Sequence, residues 1–161
     1  MRKAPETQPS LPGFEPEPAI ERFSGRARFL SNFYPSIIEF EGQRYPTVEH
    51  AFQAAKTSDP KLRKRIREAG TPGTAKALGR KVPLRQDWER VKLDVMLGFL
   101  RKKFGHSMLR DLLLGTGTAK LVEGNTWNDT FWGVVDGRGR NHLGRLLMQV
   151  RDELRQKPKK K

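Results

Sequence analysis

A carboxylate, an amide and an amine recur at helical spacing in the segment Tyr45 to Lys56: Glu49, Gln53 and Lys56 stand at i, i+4 and i+7. On a helix they share one face. Such a row beside an apolar stripe can wall a site, because a carboxylate moves protons and a desolvated lysine amine attacks electrophilic carbon. Val48, Ala51, Phe52 and Ala55 occupy the other face and read as core. Taken by itself, the spacing fits an ordinary surface file of salt-bridging side chains more readily than a site. His50 lies off the row and reads as a structural histidine rather than a catalytic one.

A second concentration runs from Leu121 to Gly133. It holds Trp127 and Trp132, Asn125 and Asn128, the acidic pair Glu123 and Asp129, and two glycines. Tryptophan in a loop is a stacking platform or a cap on the core. Asn and Asp there shape turns or face a ligand. Both types at this density favour a ligand role. Between Gly137 and Gly144, glycines precede a helix start and could offer backbone N–H groups to phosphate. The segment lacks the βαβ setting of a dinucleotide fingerprint, so a hairpin turn followed by a helix cap is the stronger reading. In Arg28 to Tyr34, aromatics alternate with polar groups. That pattern suits a strand burying Phe29 and Phe33 equally with a loop stacking on a base. Metalloprotease, P-loop and nucleophile-elbow motifs are absent. His50, His106 and His142 are scattered, so no imidazole metal site is expected.

The elements that must carry these residues follow from caps and turns. Ile37 to Tyr45, broken by Glu41-Gly42, predicts a short hairpin. Thr47 caps a helix to about Thr57, with Pro46 fixing the entry. Pro60 opens a basic helix ending near Gly70, and Thr71-Pro72 starts another that stops at Gly79. Asp87 is expected to cap the longest helix, Trp88 to Phe104, on which Trp88, Val91, Val95, Phe99 and Leu100 keep the helical period. Ser107 to Leu114 is a short helix. Leu121 to Glu123 and Phe131 to Val135 are expected as strands, the second turned by Asp136-Gly137. Asn141 is expected to cap the last helix, where Leu143, Leu146, Leu147, Val150 and Leu154 form one stripe. The fold class is α+β: a helix-rich single domain with a few short antiparallel strands.

The chain of 161 residues suits one domain. Residues 1–18 carry five prolines and read as a disordered arm, 19–155 as the domain, and 156–161 as a basic tail. Cysteine is absent, which removes disulfides, thiolate metal sites and cysteine nucleophiles. No apolar run approaches the roughly 20 residues of a membrane span, and the first residues hold no secretory h-region. A cytoplasmic protein is expected. The net charge is +14, and the tail lysines 157 and 159–161 supply only four of those charges. Such a field attracts DNA, RNA or phosphorylated small molecules. Equally, it could be no more than a solubilising surface.

In order and spacing, Phe29 to Tyr34, Tyr45 to Lys56, Thr71 to Arg80, Arg85 to Trp88, Leu113 to Thr116, Glu123, Asn128 to Gly133 and Gly139 to Met148 resemble the NADAR (YbiA-like) family, across about residues 23–151. The resemblance implies a hydrolytic N-glycosidase with no metal or cofactor. It brings two substrate classes: a phosphorylated ribosylamino-pyrimidine of riboflavin synthesis, and ADP-ribose on the amino group of guanine in DNA. In the second case some members act as antitoxins to a cognate DNA ADP-ribosyltransferase toxin. By the same resemblance Glu49, Lys56 and Asp129 are the expected catalytic residues. Phe29, Asn32, Phe33, Gln53 and Arg80 fall in stretches expected to line the substrate pocket. So do Trp88, Asn128, Trp132, Gly133 and Asn141. Lys56 could attack ribose C1 and form a Schiff base, or merely bind phosphate while Glu49 or Asp129 activates water. The basic body, with Arg63, Lys64, Arg65 and Arg67 in one helix, favours the DNA substrate, its guanine stacked on an aromatic such as Trp88 or Trp132.

Overall fold

The computed structural model describes residues 18–157. Of the expected arm, residues 1–17 lie outside the described residues, as do residues 158–161 of the basic tail. Among the described residues six α-helices are wrapped around one core: α1 (Val48–Ala55), α2 (Pro60–Arg67), α3 (Pro72–Gly79), α4 (Trp88–Lys103), α5 (Ser107–Gly115) and α6 (His142–Gln156). Two strand pairs complete it: β1 (Ala19–Ile20) with β4 (Lys120–Leu121), and β2 (Ile38–Phe40) with β3 (Gln43–Tyr45). Among the described residues no helix is long and apolar enough to cross a membrane.

The hairpin forms as expected. Its turn residues Glu41 and Gly42 both have left-handed backbones, φ 46° and 76°, which suits the two-residue turn that keeps flanking strands twisted together. The pair β1–β4 is parallel, against the expectation of antiparallel strands only. It joins the start of the domain to a segment a hundred residues later, a pairing that no local pattern encodes.

Helix α1 is the centre of the molecule. Every residue from Val48 to Ala55 is buried, because α2, α3, α4 and the hairpin cover it on all sides. The surface reading is thereby overturned for Glu49 and Gln53, while Lys56, just beyond the helix, is half-buried. Thr47 caps the helix through Oγ1, which accepts from His50 N at 3.2 Å and meets His50 Nδ1 at 2.8 Å. His50 Nε2 donates to Ala69 O at 2.9 Å, so the imidazole is a buried structural strut. Thr47→Val removes both the cap and the imidazole's partner. It should lower stability by about 1–2 kcal/mol, read as a shifted urea midpoint with unchanged slope.

Two expected caps are used differently. Asp87 stands at the start of α4 without a side-chain cap bond; its carboxylate instead forms a fork with Arg85, at 2.5 and 2.9 Å. Asn141 begins α6 with a left-handed backbone, φ 52°, and its side chain reaches across the core. The strand expected over Phe131–Val135 does not form. Asp129 Oδ1 accepts from the backbone N–H groups of Phe131 and Trp132, which curls the chain and takes donors a ladder would need. Only isolated bridges, Gly124 to Val134 and Val135 to Arg138, remain. On α6, Leu143, Leu147 and Val150 are buried, with Leu146 and Leu154 at the margin.

Candidate active site

A cavity of about 410 Å³ opens where α1 meets the connection between β4 and α6, within the usual size range for a small-molecule site. Glu49, Phe52, Gln53 and Lys56 form one wall. Glu123, Asn125, Trp127, Asp129 and Trp132 come from the β4–α6 connection, and Asn32 and Phe33 from the turn after a short 3₁₀ helix (Gly25–Leu30). Lys76 of α3 and Met96 of α4 close the lining.

The α1 wall is held from behind. Gln53 Nε2 donates to Glu49 Oε1 at 2.7 Å. This geometry depends on Gly79, since a methyl group there would fall 1.9 Å from Gln53 Oε1 and 2.8 Å from its Cβ. Burial pushes the Glu49 carboxyl above its ordinary pKa, and the Gln53 hydrogen bond and the charges of Lys76 and Lys56 partly offset this. Burial likewise lowers the Lys56 ammonium, with Glu49 opposing and Arg80, Lys76 and Lys92 adding to the shift. Lowering enlarges the neutral amine fraction, the form that acts as a nucleophile.

The other wall is a knot around Asn125. Its Oδ1 accepts from Trp127 N and Asp129 N, and its Nδ2 donates to Asp129 O at 2.9 Å. Asp129 is thereby fixed, and its own Oδ1 is engaged by the Phe131 and Trp132 N–H groups. Asn141 ties this wall to α6: Oδ1 accepts from Glu123 N at 3.0 Å and Nδ2 donates to Leu121 O at 2.9 Å. Phe52 sits between Trp88 and Trp132, with ring centroids 5.1 and 5.3 Å away. Behind the third segment, fully buried Lys103 donates Nζ to Ser31 O at 2.8 Å, and burial brings its pKa down to about 7.

Of the residues expected at the site, Glu49, Gln53, Lys56, Asp129, Asn32, Phe33 and Trp132 come together around this cavity. Phe29 is instead a core residue, and Trp88 is buried beneath Phe52. Gly133 is a close-approach point beside Glu123, and Asn141 is a strut. Exposed Asn128 turns the loop with φ 63°. Arg80 is exposed at the end of α3 and reaches Lys56 through its charge alone. Sequence reasoning noted the stretch holding Glu123, Asn125 and Trp127 without selecting them. The density of Asn, acid and Trp there was the available signal. Trp127 is 56% exposed on the cavity lining, with Lys76 Nζ 5.5 Å from its ring centroid. The basic residues of α2 lie elsewhere: Arg63 pairs with Glu41 and covers Phe40, and Arg67 lies over Tyr45.

Acids, a lysine and cations converging on one cavity suit hydrolysis of a glycosidic bond in a phosphorylated sugar. Comparison with known proteins agrees. The NADAR domain family model matches residues 21–155. The chain is 48% identical over 129 residues to N-glycosidase YbiA of Escherichia coli (strain K12), covering 78% of this chain and 80% of that one. It is 40% identical over 132 residues to a riboflavin biosynthesis protein of Vibrio vulnificus (strain YJ016), covering 80% of this chain and 36% of that longer protein. The NMR structure of E. coli YbiA aligns with a TM-score of 0.75 and 43% identity over 88% of each chain. The chain belongs to the NADAR family. Its chemistry is that of a hydrolase acting on N-glycosyl bonds.

Proposed function

We propose that the protein cleaves the bond between a ribose C1 and an exocyclic nitrogen, and that its substrate is ADP-ribose attached to guanine in DNA. The observation that carries this reading is the buried Glu49 and half-buried Lys56 on one wall of the cavity, with Lys76, Arg80 and Lys92 close enough to shift Lys56. Such a glycosylamine opens to an imine. The neutral Lys56 amine adds to C1, the base departs, and water hydrolyses the lysine adduct to free ADP-ribose and regenerated amine. Glu49 and Asp129 carry protons and hold ribose hydroxyls. The surrounding cations suit a pyrophosphate, Trp127 at the rim suits stacking on the base, and the net charge of +14 suits a DNA strand. A DNA ADP-ribosyltransferase would supply the substrate, with this protein as its antitoxin.

The test is release of ADP-ribose from a guanine-ADP-ribosylated oligonucleotide, followed by mass spectrometry. Release should fall steeply as salt rises. Borohydride should trap a covalent adduct on wild-type protein and none on Lys56→Ala. Turnover without any trapped adduct would leave Lys56 a binding role and give water activation to a carboxylate. The second reading is a phosphorylated ribosylamino-pyrimidine, supported by the likeness to the Vibrio riboflavin biosynthesis protein. Rapid cleavage of that compound with no action on the oligonucleotide would select it.

A further inference from the structure

Three carboxylates line the cavity, and they are not equivalent. Glu49 accepts a hydrogen bond from Gln53 and lies within the influence of Lys56 and Lys76. Asp129 is engaged by two backbone N–H groups. At Glu49 the Gln53 hydrogen bond and the two lysines favour the anion and oppose the effect of burial. Glu123 has no such hydrogen bond, only the more distant charge of Lys76: its Oε2 is buried without any hydrogen-bond partner. Its backbone is nonetheless held firmly, since its N–H donates to Asn141 Oδ1 and its carbonyl accepts from Val134 N at 2.8 Å. A carboxyl on so firmly held a backbone, with one oxygen buried and unpartnered, favours its neutral form.

We infer that Glu123 is the acid of the reaction, the group that protonates the departing nitrogen. This rests on the N-glycosidase reading above. The carboxyl proton of Glu123 passes to the exocyclic nitrogen as the C1–N bond breaks, and the bonding pair stays with nitrogen, so the amine leaves neutral. Water then adds to C1, its hydroxyl displacing the Lys56 amine and its proton passing to Glu49. That proton returns through solvent to Glu123, which restores both groups. The role agrees with the pKa of Glu123, raised to about 7 by burial first and by the neighbouring charges of Asp129 and Glu49, against the opposing pull of Lys76. The acid must be protonated to act, so kcat/KM should fall as pH rises through about 7.

Glu123→Gln keeps the shape of the side chain and cannot give up a proton. With the ribosylated oligonucleotide, or with the ribosylamino-pyrimidine phosphate if that is the compound turned over, kcat should drop about 100-fold or more, with KM changed only a few-fold. The alkaline limb near pH 7 should vanish from what activity remains. Independently of turnover, 13C-carboxyl NMR of the wild-type protein, with the missing signal of Glu123→Gln as the assignment, should show this group titrating near 7. A Glu123 signal titrating in the ordinary carboxylate range would overturn the assignment, and so would a Glu123→Gln variant retaining wild-type kcat. These failures differ from that of the underlying reading. Wild-type protein inert on both substrates would remove the proposed function and the role of Glu123 with it, whereas active wild type with equally active Glu123→Gln would remove only the latter.

Discussion

Glu49→Gln is expected to lower turnover of the ribosylated base by about a thousand-fold or more, while affinity for ADP-ribose stays within a few-fold. The substitution retains volume and the contact with Gln53 but removes the only carboxylate on the α1 wall. Single-turnover mass spectrometry reads the rate and calorimetry reads the binding. Turnover within tenfold of wild type would remove Glu49 from the chemistry. Stability should move the other way. Glu49 in the native state holds its proton above the ordinary carboxylate range because of burial, and Glu123 does so up to about 7. For such groups the native state binds more protons than the unfolded chain between the two pKa values. Stability is therefore full below about pH 4.5 and is lost as pH rises through the native pKa. The Glu49→Gln and Glu123→Gln variants should each melt at least as high as wild type at pH 8, with no such gain at pH 4. A fall in melting temperature at pH 8 would mean that these carboxylates hold the fold together, contrary to the proposal that they are groups held at a cost for catalysis.

Gly133→Ala is expected to cost about 3 kcal/mol or more and to abolish activity at the same time. A Cβ at this position would stand 2.2 Å from Glu123 O and 2.7 Å from Asn125 Nδ2. Neither neighbour can yield cheaply. The Glu123 carbonyl already accepts from Val134 N, and Asn125 holds Trp127 and Asp129 in place. Moving them would displace Glu123 and Asp129 together. A melting temperature within 2 °C of wild type would show that the loop relaxes freely and that the tight approach carries little energy. Gly73 is the matched control: its added Cβ meets only Thr71 Oγ1, at 3.8 Å, and Gly73→Ala in α3 should be neutral or slightly stabilising.

Much of this was legible in the chain. The hairpin was announced by Glu41-Gly42, α1 by Thr47, α3 by Thr71-Pro72 and α6 by its leucine stripe, because caps, turns and helical periodicity act over four or five residues. The row Glu49, Gln53, Lys56 was visible as spacing. Its burial was not, since spacing is the same for a solvated face and for a helix enclosed by three others. The uses of the Asp87 and Asn141 side chains were misplaced for a related reason: a short polar side chain has several partners within reach, and the surrounding fold selects among them.

By itself, the sequence determined the helices, the α1 row that presents an acid and an amine together, and the basic character of the surface, all set by local rules or by composition. Tertiary structure decided the rest. It joined β1 to β4 across a hundred residues, brought the β4–α6 connection against α1, left Trp127 at the rim while burying Trp88, and left Glu123 Oε2 buried without a hydrogen-bond partner. The reason is physical: the proton affinity of a carboxyl and the accessibility of a ring depend on what is packed around them, and that packing is contributed by residues far away in the chain.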